Sequence, residues 1–446
     1  MRIGTNVAAI VANNALQKSQ NNLSTSIERL SSGYKINGSK DDAAGCAISE
    51  KMRAQIRGLS QAQNNTADGV SVLNTAEGAI TEIQSMLTRL KELSVQAAND
   101  VNSDDEREAI QKEIEQINNE IDRISDQTEF NTQSLINGNL SRRVYSDLQG
   151  VNQLSVSDSY TAGVYGITVT EDARQAIAVG AGSITMSSTA SITEEQAGAI
   201  NINGYKISIS EGDTLDKVMG KIIDGVNITG GSAFTVKDLN NDTVANGTDY
   251  AGYVPTADYA GSTLVIMTNQ YGSDQKMNIT CDNAELADIL GIPQAATQDG
   301  IYVEGSDVKA EIATGDDGKR IGFADSAILS TKGTVITVTD VNNKEFSMDV
   351  PGNAAGTVFD DSNNDGQSAA GAGTARTISQ EVTDVGTMSI HVGANQDQVI
   401  VIDIPAITTY SLGTEHMNVM TQYTASRAIS TVDEAINKTN KIRSRI

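Results

Sequence analysis

Residues 103–124 read SDDEREAIQKEIEQINNEIDRI. Ser103 and Glu106 have the Ser-x-x-Glu spacing of a capping box, in which each side chain takes the other's free backbone N–H. Ile110, Ile114, Ile117, Ile121 and Ile124 then step 4-3-4-3, the seam one helix offers another. This spacing predicts a helix from about 103 to Phe130 that needs a partner helix, with Asn137-Gly138 closing the block. The charge-rich run 104–108 reads as its capped, solvated start.

The same logic extends toward both ends of the chain. Leu16, Leu23 and Leu30 recur every seven residues and Ile27 falls between them, a coiled-coil seam, with an ordinary amphipathic helix as the alternative. Gly33 and Gly38, with Asn37 and Ser39, interrupt the pattern. Asp41 or Asp42 can cap a second helix through the free N–H groups of its first turn. Its apolar stripe starts at Ile48, Met52, Ile56 and Leu59 and continues through Val70, Leu73, Ile80, Ile83, Leu87 and Leu90, to about Asn99. At the far end Met417, Met420, Ile429, Val432, Ile436 and Ile442 give a looser stripe. Helices at both ends carry open seams, so they are expected to pack together, with the middle of the chain as an excursion.

That middle differs in kind. Of the 446 residues, 141–405 hold all four prolines and carry 14 basic against 35 acidic residues, out of a chain net charge of −25. Ala199–Ile202 and Tyr205–Ile209 flank Asn203-Gly204, a favoured hairpin turn. Asp213 or Thr214 then caps a short helix carrying Leu215, Val218 and Ile222. Val335–Thr339 and Phe346–Val350 flank Asn342-Asn343, a second hairpin, and 353–375 reads as a loop. Ser389–His391 and Val399–Ile404 read as strands leading back to the helical end.

The expected architecture is multidomain α plus β: a long helical coiled-coil or bundle core from both chain ends, with a β-rich α+β region inserted. Its parts are a 1–40 coiled-coil segment, a 41–140 helical core, a 141–384 outer region with subdomains at about 180–294 and 295–384, and a 385–446 return hairpin and helix.

Chemistry is thinly supplied. The acidity argues against nucleic acid, which needs clustered Lys and Arg, and against anionic membranes. No apolar run reaches the length of a membrane span, and Val7–Ala12 is too short for a secretory leader. Two cysteines and two histidines make neither a disulfide framework nor a zinc site, so no metal and no cofactor are expected. Asp361–Gly366 matches the start of a calcium loop, but position twelve is Ala372 where a bidentate Glu is needed, so a solvated turn is the reading. Cys46 reads as a small core residue and His391 as a cross-strand neighbour.

Several stretches together resemble one family, the bacterial flagellins. They are LSTSIERLSSG at Leu23–Gly33, DDAAGCAISEKMRAQIRG at Asp41–Gly58, LTRLKELSVQAAN at Leu87–Asn99 and INNEIDRISDQTEFN at Ile117–Asn131. MSIHVGANQDQ at Met388–Gln398 resembles the family's return strand, and ISTVDEAINKTNKIRSRI at Ile429–Ile446 its C-terminal core helix. The Ile200–Ile223 hairpin and helix resembles a unit of some flagellins' outer domains.

The resemblance implies a non-enzymatic structural subunit that self-assembles into the flagellar filament for motility. It implies export by the flagellar type III system without a cleaved signal and an extracellular location. Partners would be further copies of the chain, through Leu16, Leu23, Ile27 and Leu30, and the host's Toll-like receptor 5, through Arg89, Leu93, Gln96, Ile110 and Glu113. Lys91 stands where many receptor-stimulating members have Arg. On this reading Leu93→Ala silences the receptor while barely moving the melting temperature. Flagellins continue several dozen residues past the equivalent of Ile446, the segment an export chaperone engages, so that partner is doubtful here. A filament-displayed adhesin carried by the middle is the rival function; an embedded enzyme is poorly supplied.

Overall fold

The computed structural model describes residues 6–157, 160–180, 182–237, 259–292, 300–315, 318–340, 344–352, 354, 359–360, 369–370, 375–383 and 385–446. The chain divides into two compact units, 1–71 with 389–401, and 72–388 with 402–446.

In the first unit, helix α1 (Val7–Ser32) is capped by the Asn6 side chain, which accepts from Ala9 N–H at 3.3 Å. It ends at Gly33 in the left-handed region (φ 73°), whose N–H bonds back to Arg29 O. Helix α2 (Ala43–Ala97) starts where Asp42 Oδ1 accepts the Gly45 N–H at 2.9 Å, the cap expected from sequence. Strands Met388–His391 and Val399–Ile402 form a hairpin laid on one face of α2. Glycine permits that approach: a Cβ on Gly69 would sit 2.5 Å from Ile390 Cδ1. Asn65 Nδ2 donates to His391 O at 3.0 Å across the same contact.

In the second unit the later part of α2 packs with α3 (Asp104–Gln127) and the terminal helix Gln422–Arg445. The capping box is formed as expected, with Glu106 Oε2 2.8 Å from Ser103 N. α2 buries Ile80, Ile83, Leu87, Leu90, Leu93 and Ala97; the terminal helix answers mainly with small residues, Ala425, Ala428, Val432 and Ala435. Lys91–Asp433 (2.5 Å) and Arg443–Glu77 (3.1 Å) tie their rims, so the two chain ends do pack together. The buried line of α3 is Arg107, Ile110, Ile114, Asn118, Ile121 and Ser125; Ile117 and Ile124, expected in the seam, are only half-buried.

The start of α3 is not wholly solvated. Arg107 is buried, and its Nε and Nη2 donate to Ala97 O and Asn99 O, both at 3.2 Å. Arg107 is the donor to Ala97 O and a second donor to Asn99 O, which also accepts from Asn102 N–H at 3.3 Å, and a cation suits the negative end of a helix.

Two β cores complete this unit. The first holds the antiparallel order Ile301–Glu304, Lys276–Cys281, Gly198–Ile202, Tyr205–Ile209, and a three-stranded sheet of Ile177–Val179, Ser262–Thr268 and Gly231–Lys237. Helix α4 (Leu215–Ile228) buries Leu215, Val218 and Ile222 against them. Asn203 (φ 51°) and Gly204 (φ 90°) make the predicted hairpin turn, both left-handed as a type I′ turn requires.

The second core gathers strands from both sides of that block. Val144–Ser146 and Gly163–Glu171 pair with Arg376–Val382, and Asn152–Val156 pairs with Glu345–Asp349. Tyr160, Tyr165, Phe323 and Phe346 fill it, with ring centroids 5.0–6.1 Å apart and mostly edge to face. Where the chain crosses between the cores, Asp307 accepts from Ser273 N (2.9 Å), Ser273 Oγ (2.6 Å) and Gly333 N (2.7 Å). The hairpin of Val335–Thr339 with Glu345–Asp349 forms as expected. Its Asn342-Asn343 turn, the Asp361–Gly366 stretch and most of the 353–375 loop lie outside the described residues.

Candidate functional site

Soluble helices hide their apolar face; α1 does not. None of its residues is buried, and Leu16, Leu23, Ile27 and Leu30 are 58, 60, 57 and 86% exposed. At 100° per residue these four fall within an arc of about 60°, so they form one continuous row. Val7, Ile10 and Val11 are exposed too and centre on the opposite side of the helix. One helix thus presents apolar surface in two directions along its length.

The first turns of α2 repeat the feature. Ile48, Met52, Ile56 and Leu59 share an arc of about 80° and are all exposed, as is Val70 further along. Sequence spacing reads them as the start of a core stripe, but the return hairpin covers a different face, that of Gly58, Asn65 and Gly69, roughly 100° away. Val399, Ile400 and Val401 on the hairpin are likewise exposed. Cys46, expected as a small core residue, is a half-buried free thiol in the first turn of α2.

The magnitude favours association. Full burial of a Leu or Ile side chain is worth about 1.5–3 kcal/mol. The eight side chains of the two rows are still about 60% exposed, which leaves roughly 7–15 kcal/mol to gain. Association costs about 4–15 kcal/mol of lost freedom. A single contact is near balance, whereas a copy held through several rows at once binds well, as in a cooperative assembly.

The second candidate site joins α2 and α3. Arg89 Nη2 and Nε donate to Glu113 Oε1 at 2.8 and 3.1 Å, and Nη1 meets Glu92 Oε2 at 3.2 Å. These hydrogen bonds, Glu113 first, push the Arg89 pKa further up. Arg89 and Glu113 are therefore neighbours from adjacent helices, as expected, but each occupies the other. Gln96 is exposed nearby. Leu93 and Ile110 are at 1 and 6% exposure and belong to the helical core beneath. The expectation that Leu93→Ala leaves stability untouched is reversed by this burial.

Among the described residues no three His, Cys, Asp or Glu side chains converge as a metal site would need, and no helix is long and apolar enough to cross a membrane.

A family model described as the bacterial flagellin N-terminal helical region matches residues 3–141. The chain is 39% identical over 239 residues to a flagellin of Clostridium tyrobutyricum, covering 47% of this chain and 63% of that one. It is 34% identical over 336 residues to a flagellin of Salmonella typhimurium, covering 72% and 64%. The chain thus spans less than two thirds of the length of these relatives. Among solved structures, FliC from Burkholderia pseudomallei aligns with 84% of this chain and 96% of its own at 13% identity, with a TM-score of 0.23, too low to carry an argument.

Proposed function

Through its N-terminal helical region the chain belongs to the bacterial flagellin family, and on that premise we propose that it is a structural, non-enzymatic subunit that joins copies of itself into the extracellular flagellar filament. One observation carries the proposal: the row Leu16, Leu23, Ile27 and Leu30 repeats at heptad spacing on a helix with no buried residue. An exposed row of that kind has no use in a monomer and suits a partner of the same kind.

The acidic β cores stand apart from this role. Arg143 N–H donates to Val385 O at 2.9 Å and Thr383 N–H to Arg143 O at 3.0 Å, so the two strands leading to the β cores lie side by side. Replacing 146–381 by a short Gly-Ser turn therefore rejoins the chain without strain on the helices. The expected result is a shortened subunit that still forms filaments under the electron microscope. Loss of assembly with helical circular dichroism intact would overturn the proposal.

The flagellin premise also supports export through the flagellar type III apparatus and recognition by Toll-like receptor 5. In this reading Arg89, Gln96 and Glu113 supply the receptor-facing surface. Leu93 and Ile110 act from beneath it by holding α2 against α3. The pairing of Arg89 with Glu113 means that a receptor must replace that contact, not merely meet a free cation.

A further inference from the structure

The β cores are joined to each other and to the helices in different ways. Between the cores, chain segments meet backbone to backbone. Gly272 N–H and Ser306 N–H both donate to Arg174 O, at 2.9 and 3.1 Å, and Arg174 N–H donates to Ser306 O at 2.8 Å. Gly305 N–H donates to Gln275 O at 2.8 Å, and Val308 N–H to Gly333 O at 2.9 Å. The approach leaves no room for a side chain: a Cβ on Gly305 would sit 2.4 Å from Gly272 O and 2.5 Å from Arg174 O. The three donors to Asp307 close the same joint.

Toward the helices the joint is of another kind. Neither β core's apolar cluster contains a residue of α2, α3 or the terminal helix. Among the described residues, no backbone-to-backbone hydrogen bond links the cores to the helices outside the strand pair at Arg143, Thr383 and Val385. Side chains make the contact instead. Lys332 meets Glu434 at 2.5 Å and Lys441 meets Glu345 at 3.5 Å. Arg427 Nη1 donates to Gln275 Oε1 at 3.1 Å, Asn418 Nδ2 to Ile228 O at 2.9 Å, and the Tyr410 hydroxyl to Asp349. Between these contacts open cavities of about 410, 510 and 790 Å³, each walled from both sides and large enough to admit water. Joints of this polar, wet kind allow bodies of one chain to move. The Glu434 and Lys441 side chains are 58 and 62% exposed, and ion pairs so placed hold weakly and are screened by salt.

We infer that the two β cores tilt as one body on the helices, about the strand pair at Arg143, and that Lys332–Glu434 and Lys441–Glu345 are the clasps that hold the orientation seen. The inference concerns motion within one chain and does not depend on filament assembly.

The test is pulsed electron paramagnetic resonance on the full chain, spin-labelled at Glu82→Cys on α2 and Glu311→Cys on the second β core, both exposed positions. Cys46→Ser removes the half-buried thiol, Cys281 is buried, and dilution with unlabelled chain removes distances between copies. A second pair, Lys206→Cys with Glu311→Cys, spans the two β cores. Raising NaCl from about 0.1 M to about 1 M shortens the screening length from about 10 to about 3 Å. The 82–311 distance should then shift or broaden by more than about 2 Å. It should do so without added salt when Glu434→Gln and Lys441→Gln remove both clasps, with helical circular dichroism unchanged. The 206–311 distance should stay as it is throughout. An 82–311 distribution identical under all three conditions overturns the proposal. So does equal broadening of the 206–311 pair, which would place the motion between the β cores.

Discussion

Leu93→Ala separates packing from recognition. Leu93 lies at 1% exposure on the buried line of α2 that runs through Leu87, Leu90 and Ala97. Truncating a leucine so placed removes its transfer free energy and leaves a cavity, together about 2–5 kcal/mol. For a large domain each kcal/mol moves the melting temperature by about 2–4 °C, so a fall of about 4–20 °C is expected. Leu93→Met, which conserves volume, should cost less than about 1.5 kcal/mol. Gln96→Ala, three residues on and exposed, should leave the melting curve in place. The assay is thermal unfolding followed at 222 nm, with receptor-ectodomain binding measured well below the transition. A melting temperature unchanged in Leu93→Ala would refute the placement of this side chain in the helical core. A fall in stability with receptor affinity retained at low temperature would show that Leu93 acts through the fold alone.

Two further outcomes follow from buried polar groups. Arg107→Met keeps the apolar stem but leaves the Ala97 carbonyl without its donor and takes one of two from Asn99 O, and should cost about 1.5–3 kcal/mol in urea unfolding; an unchanged midpoint would mean that water caps α2 equally well. Asp307 is pushed up by burial, but the Ser273 and Gly333 donors and nearby Lys332 outweigh this and hold its pKa below the ordinary carboxylate value. Its stabilising contribution is thus full above the unfolded pKa of about 4 and is lost as pH falls through the lower folded value; Asp307→Asn should flatten the acid limb of the stability profile below about pH 4, and an unaltered limb would contradict this role for the carboxylate.

How much of this was legible depends on whether a signal is local. The Ser103–Glu106 box, the Asp42 cap and the Asn203-Gly204 turn are written within a few residues, and each forms where the sequence places it. Helical spacing finds apolar faces but says nothing of what covers them. Ile48, Met52, Ile56 and Leu59 step 4-4-3 and Ile80, Ile83, Leu87 and Leu90 step 3-4-3, both helical stripes, yet the first set is exposed and the second buried. The small residues of the terminal helix, Ala425, Ala428 and Ala435, give no strong apolar signal although they make its buried face. Strand pairings such as Tyr165 with Gln380 join residues far apart in sequence and leave no local trace. Arg107 was hidden in a charged run; its position one turn after a capping residue, beside the end of another helix, marks it only once the α2–α3 turn is known. Arg89 and Glu113 are named together through the family resemblance, and the ion pair that joins them across α2 and α3 has no local trace in the sequence.

The central claim is that the exposed row on α1 drives self-association. Sedimentation velocity of the chain across a concentration series, beside the double variant Leu23→Glu with Ile27→Glu, tests it most directly. These side chains touch no buried core, so the variant should keep its helical circular dichroism and melting temperature. The account predicts concentration-dependent association of the unaltered chain and a monomer for the variant, since two carboxylates in the row must lose their water on contact. Association of the variant at the same concentrations as the unaltered chain, or an unaltered chain that stays monomeric throughout, would contradict it.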